Sequence, residues 1–356
     1  MSTLEFGISG PEQQLTREQL VKEESGRVLL SYAQKAIHPL RDMVRKGEGK
    51  QVLGSVPGRP EDEQLLIDAA GEHILTDIIR GENISPSFVL GEHNDYSLGN
   101  GETQIFFVID SFDNTSQYKR GLDTPPYTVV GAYDKDGNRL GAIIGDIKDR
   151  KAYMNINGEN FLLDLETGER KKIAKSERTT TKDPQITIAT YLGSNVYSKE
   201  FQKFFGPMIE GMAPKGVLYG GGGSYIYGLM ASGAVDAYVM FNEPYSEIFT
   251  GLPIALAAGC TAVGVNLETR QIEELKFEPE KIKANPEIYK NGTVPLYIAA
   301  ATPEIRDEII KCYMEEKRRN EDRAKLQTER DLFIARKSEE FEIFRASQQP
   351  QNPSSN

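Results

Sequence analysis

Asp110 and Asp113 stand three residues apart in the segment IDSFDNTS, where the apolar run QIFFVID ends. A strand end followed by a turn can aim both carboxylates and the backbone carbonyl of Phe112 into one pocket, an all-oxygen set that suits six-coordinate magnesium. Thr115 and Ser116 then open a short helix, whose N–H groups can receive a phosphate. On its own a DxxD pair is more often two solvated turn residues. Three further acids occupy positions that folding could bring to the same place. Glu92 closes the strand-like SFVLGE, and Asp68 lies on the helical LLIDAAGEHIL with Glu72 one turn later. Glu247 falls in the first turn of SEIFTGLPIALAAG, where the helix dipole favours a carboxylate.

Composition narrows the chemistry. Lys plus Arg number 42 against 53 Asp plus Glu, a net charge of −11, which repels a phosphate backbone and argues against nucleic-acid binding. An acidic protein can still hold phosphate if cations stand between. With three histidines and two cysteines, a zinc site is poorly supplied, whereas carboxylates for a hard cation are plentiful. Cys260 and Cys312 are too few for a disulfide framework. The longest near-apolar run, residues 252–265, is shorter than the roughly 18 residues of a spanning helix, and no basic-then-apolar leader opens the sequence. The expectation is a cytoplasmic protein with no membrane or nucleic-acid partner.

The elements that must position these acids are legible in the periodicity. Residues 16–46 carry an apolar stripe at three-and-four spacing, and a second helix is expected over 61–80 with Ile67, Ala70, Ile74 and Ile78 inward. From residue 86 the period changes to strands. YTVVGAY and RLGAIIGDI flank DKDGN, and AYMNI and NFLLDL flank NGE, both as hairpins. DKDGN is no calcium loop, since Gly145 stands where the bidentate Glu belongs. After a charged, Thr-rich link, a second αβ half begins at ITIATYL. Its GGGG run at 220–223 lacks the Lys-Ser/Thr pair of a P-loop and predicts close backbone packing. Cys260 belongs to an apolar core segment. The expected organisation is a flexible lead at 1–15, an N-terminal α+β domain at 16–185 with the metal-site strands, a C-terminal α/β domain at 186–302, and a charged helical tail at 303–356 with a disordered end.

In this order the acid-bearing segments resemble the inositol monophosphatase family of magnesium-dependent phosphomonoesterases, within the wider group that includes fructose bisphosphatase. The family's GEE matches Gly91, Glu92 and His93; its DPIDGTTNF matches residues 110–118 as DSFDNTSQY. The helix with a TEVD-like aspartate matches residues 66–72 around Asp68, and WDxAAG matches residues 246–251 as SEIFTG. The resemblance spans about residues 20–310 and implies an α+β fold, a layered αβαβα sandwich, with two or three Mg2+ ions and a homodimer. Glu92, Asp110 and the Phe112 carbonyl would hold one magnesium, and Asp110, Asp113 and Glu247 a second. Asp68 with Thr115 would orient and deprotonate a water, beside a third ion that also uses Glu92. Backbone N–H groups of Asn114, Thr115 and Ser116 would hold the phosphate, and Ser224 would face a small phosphorylated polyol or sugar. The departures are Ser111 and Asn114 for the family's Pro and Gly, His93 for its second acid, Ser246 for its Trp, and Glu247 for its late Asp. Asn is the non-glycine residue that best tolerates a left-handed turn, so the backbone path at 114 is expected to survive. A non-catalytic, ligand- or partner-binding role is the competing expectation.

Overall fold

The computed structural model describes residues 15–56, 59–122, 124–192 and 195–347; the lead before Leu15 and the end of the tail after Ser347 lie outside them. Helix α1 (Arg17–Lys46) opens on a capping box, in which the Gln19 amide donates to Thr16 Oγ1 at 3.2 Å and the Thr16 amide to Gln19 Oε1 at 2.9 Å. Residues 61–65, expected in the second helix, finish a hairpin instead: β1 (Val52–Val56) pairs with β2 (Arg59–Leu65), and α2 runs Leu66–Glu82. EDEQL has a single apolar residue, too little to hold a helical turn against a core.

The first large sheet follows. It comprises β3 (Ser87–Gly91), β4 (Asp95–Leu98), β5 (Ile105–Asp113) and, after α3 (Thr115–Arg120), strands β6 (Tyr127–Asp134), β7 (Arg139–Asp146), β8 (Lys151–Ile156), β9 (Glu159–Asp164) and β10 (Arg170–Lys172). Its eight strands lie in the order β10-β9-β8-β7-β6-β5-β3-β4. The expected hairpins join β6 to β7 and β8 to β9. Only β3 and β5 run parallel among these pairs, and the centre is buried on both faces, so β5 reads as one apolar run rather than an alternation.

The second half interleaves β11 (Thr187–Ala189), α4 (Asn195–Glu210), β12 (Val217–Tyr219), α5 (Ile226–Ala231), β13 (Ala237–Pro244), α6 (Tyr245–Ala257) and β14 (Thr261–Val265). Next come β15 (Ile272–Glu273), α7 (Pro279–Ala284), α8 (Glu287–Asn291), β16 (Thr293–Ala300) and α9 (Pro303–Ser347). Six strands form a sheet in the order β12-β11-β13-β16-β14-β15. Three apolar clusters bind the layers. One joins α1 and α2 to the first sheet through Leu29, Ile37, Ile67, Phe107 and Ile143. A second sandwiches α5 and α6 between the sheets through Val129, Tyr227, Phe249 and Tyr297. The third packs α4 and α9 on the outer face of the second sheet through Phe205, Phe241, Ile309 and Tyr313. The result is the α+β, αβαβα sandwich.

Helix α9 leaves the body. Ile305, Ile309, Ile310 and Tyr313 are buried, whereas residues 321–339 are exposed throughout. Deleting residues 324–356 should change the unfolding free energy by less than about 0.5 kcal/mol, read by urea denaturation. No helix among the described residues is long and apolar enough to cross a membrane.

Candidate functional site

Register brings the first acids together. Parallel strands β3 and β5 pair Gly91 with Ile109, so the next residues, Glu92 and Asp110, emerge side by side at the same end of neighbouring strands. In a regular strand Asp110 and Asp113 would point to opposite faces. Here the register with β6 steps from Asp110↔Val129 to Asp113↔Tyr127, three residues against two, and this bulge turns both carboxylates to one side. Asn114 then takes the left-handed conformation expected of it, at φ 75, and its Nδ2 donates to the Pro125 carbonyl at 3.2 Å. Helix α3 starts at once behind it.

Glu92, Asp110, Phe112, Asp113, Asn114, Thr115, Ser116 and Glu247 line one cavity of about 860 Å³. Asp68 and Ser224 are buried immediately behind its wall, at 3% and 0% exposure. Asp68 Oδ1 lies 3.3 Å from the Thr115 hydroxyl, which also donates to the Phe112 carbonyl at 2.6 Å. The Asp68 carboxylate accepts from the Leu65 amide at 2.6 Å, and its backbone carbonyl accepts from Ser111 Oγ at 2.8 Å. Ser111, in place of the family's Pro, thus ties α2 to β5. Ser224 Oγ donates to Asp110 Oδ2 at 3.2 Å and accepts from Thr250 Oγ1 at 2.9 Å. Thr250 Oγ1 also lies 2.9 Å from the Ser246 and Glu247 carbonyls, so the α6 turn carrying Glu247 packs against the Ser224–Asp110 contact.

Close approach of α6 to α5 makes this possible. A Cβ on Gly251 would fall 2.4 Å from the Ser224 carbonyl oxygen and 2.4 Å from the Tyr227 ring. Gly251→Ala should therefore cost about 1–3 kcal/mol by overpacking, seen as a lowered urea midpoint at unchanged slope.

The electrostatics are those of crowded anions. Burial, then Asp113, Glu92 and Asp68, hold the Asp110 carboxyl well above the usual range. Burial, then Glu243, Asp113, Asp110 and Glu92, do the same to Glu247. Burial and Glu92 push Asp113 up to about 7, against the Tyr225, Asn114 and Ser224 amides that donate to it. Asp68 is raised by burial and by Glu92, and Glu72 is pushed up to about 7 by burial, against the Asn94 side chain that donates to it at 2.8 Å. His93 stands 3.8 Å from Glu92 and lines the cavity. Such clustered, displaced carboxyls are characteristic of functional sites.

The donor set is all oxygen and strongly anionic, which fits a hard divalent cation. No group of three or more His, Cys, Asp or Glu side chains among the described residues is arranged to hold a metal ion. Glu92, Asp110 and Phe112, and likewise Asp113 and Glu247, line the same cavity. Sequence reasoning missed Glu243, fully buried and pushed up to about 8 by burial, whose charge helps to raise the Glu247 carboxyl. It also missed Lys290, whose ammonium donates to Asp95 at 3.0 Å and to the His93 carbonyl at 3.3 Å, bracing the turn that presents Glu92. An acid two residues past an apolar strand was the available signal for Glu243; Lys290 carried none.

Two packed sheets separated by helices make up the same fold as that of the solved inositol monophosphatases. The chain is similar to the extragenic suppressor protein SuhB of Bartonella henselae, at 16% identity and a TM-score of 0.59 over 81% of this chain and 97% of that one. It is likewise similar to an inositol monophosphatase from Zymomonas mobilis, at 17% and 0.55 over 82% and 98% of the two chains. For the Thermotoga maritima IMPase the figures are 17% and 0.57 over 83% and 98%. No protein-family model and no curated protein matches the sequence.

Proposed function

We propose that the chain is a magnesium-dependent phosphomonoesterase acting on a small phosphorylated polyol or sugar. The observation that carries this reading is the convergence of Glu92, Asp110, Asp113 and Glu247 on one cavity beside the first turn of α3, in the fold of the inositol monophosphatases. Glu92, Asp110, the Phe112 carbonyl, Asp113 and Glu247 would hold the ions. Magnesium, when bound, would neutralise phosphoryl oxygens and make a water more acidic. The chain's own residues do the rest. Asp68, kept basic by burial and by Glu92, would take the proton of the attacking water through the Thr115 hydroxyl. The Asn114 amide is turned to Asp113, so the Thr115 and Ser116 amides would carry most of the phosphate. Gln117, Asn242 and Asn291 line the same cavity and offer amides to sugar hydroxyls. A homodimer and a cytoplasmic location belong to the same reading, the latter resting on two free cysteines.

The test is a phosphate-release screen over sugar, inositol and nucleotide phosphates with magnesium and with chelator. Release that requires magnesium is the expected result, and release that survives chelation would overturn the mechanism. Ser111, Asn114 and Glu247, which depart from the family's signature, favour a second reading, a binding protein without turnover. Calorimetric uptake of magnesium with no turnover of any substrate would establish that reading instead.

A further inference from the structure

Another acid reaches the centre from below. Strand alternation would turn residue 243 with Val239 and Phe241 toward the face covered by α4 and α9. Asn242 breaks the alternation with φ 54, and Glu243 faces inward instead, where its Oε2 accepts from the Tyr238 hydroxyl at 3.1 Å. The Tyr238 oxygen in turn accepts from the Gly223 amide at 3.2 Å, so the hydroxyl both donates and accepts. Gly223 lies flat on Asp113. A Cβ there would fall 2.6 Å from Asp113 Oδ1, and its φ of +119 suits glycine alone. The next two residues hold both central aspartates: Ser224 Oγ donates to Asp110 Oδ2 at 3.2 Å and the Tyr225 amide to Asp113 Oδ2 at 3.0 Å.

Tyr238 has little freedom to do otherwise. It is fully buried, with the Tyr227 and Tyr297 rings edge-on at 6.1 and 5.9 Å. Glu243 Oε1 is buried without a hydrogen-bond partner, a cost that stability alone does not explain. We infer that Glu243 is a positioning residue which, through the Tyr238 hydroxyl, pins the glycine loop at 220–223 and so sets the placement of Asp110 and Asp113 toward a divalent cation. The cation half of this inference rests on the metal reading above; the loop half does not.

Glu243→Leu and Tyr238→Phe test it, the first removing the acceptor and the second keeping the ring while removing the donor. In metal-free protein, hydrogen exchange over the peptide spanning 220–225 is expected to rise in both variants, with other peptides unchanged. Magnesium affinity by calorimetry is expected to fall about 10- to 100-fold in both, the usual effect of removing an outer support of a metal site. Unchanged loop exchange in Tyr238→Phe overturns the link. A general rise in exchange with unchanged affinity marks Glu243 as merely structural and overturns it too. If the parent protein takes up no magnesium, the metal reading and the cation half fail together, while loop exchange still decides the loop half.

Discussion

Asp110→Asn is expected to reduce magnesium-dependent phosphate release by about a thousandfold or more while leaving the metal-free protein at least as stable. The first expectation follows from position. Asp110 is raised by burial and then by Asp113, Glu92 and Asp68, and the first two ions implied by the resemblance would share it. Losing several kcal/mol of charge stabilisation in the transition state corresponds to a factor of about 10³. The second follows from what the acid costs. A buried carboxyl among like charges is destabilised, and the isosteric amide removes that charge while keeping an acceptor for Ser224 Oγ. Activity and stability therefore move oppositely, which a purely structural aspartate would not allow. Initial rates with magnesium and a urea titration with chelator check the two halves. Activity retained within tenfold would remove Asp110 from the centre.

That opposition also shows which parts of the site could be read from sequence. Asp110 was visible because an apolar run ended on it, and the side-by-side emergence of Glu92 needed only that two such strands be neighbours. The bulge that turns Asp113 to the same face was not visible, since a DxxD spacing in extended chain implies opposite faces and nothing in SFD marks an extra residue. Asn114 is the better lesson. Its side chain announced a left-handed turn, and the chain takes one. Misreadings arose where local signals conflicted. EDEQL lay next to a strong helical stripe and looked like its first turn, yet its partner was the strand at 52–56. Strand β16 carries Pro295, a residue that argues against a central strand. It is tolerated there because Pro295 lies opposite the left-handed, exposed Asn242 and just past the last β14 pair, Val265↔Leu296. Glu243 was marked only as an acid two residues past an apolar run, and its inward turn depends on Asn242, a tertiary accommodation rather than a pattern.

Metal-free protein should lose stability as pH rises from about 4 toward 8, and excess magnesium should abolish that slope. Unfolded Asp and Glu side chains titrate near 4, whereas in the folded chain Glu72 and Asp113 titrate at about 7 and Glu243 at about 8, burial being the leading cause in each case. Between those limits the folded state binds more protons than the unfolded one. The derivative of unfolding free energy with pH is then negative, so stability is full below the unfolded values and falls as pH passes through the folded ones. Glu72 alone, carried from 4.5 to about 7, costs the folded state on the order of 3 kcal/mol above pH 8. Most proteins rich in paired carboxylates behave oppositely, losing stability toward acid, so the sign is diagnostic. Divalent cations stabilise the same charges that protons otherwise neutralise and bind only the folded arrangement, so their effect on melting temperature should grow with pH. Thermal denaturation from pH 5 to 8.5, with chelator and with magnesium, measures both slopes. A chelated protein that grows more stable across that range would show that these carboxyls ionise freely, and the crowded-acid description of the centre would be wrong.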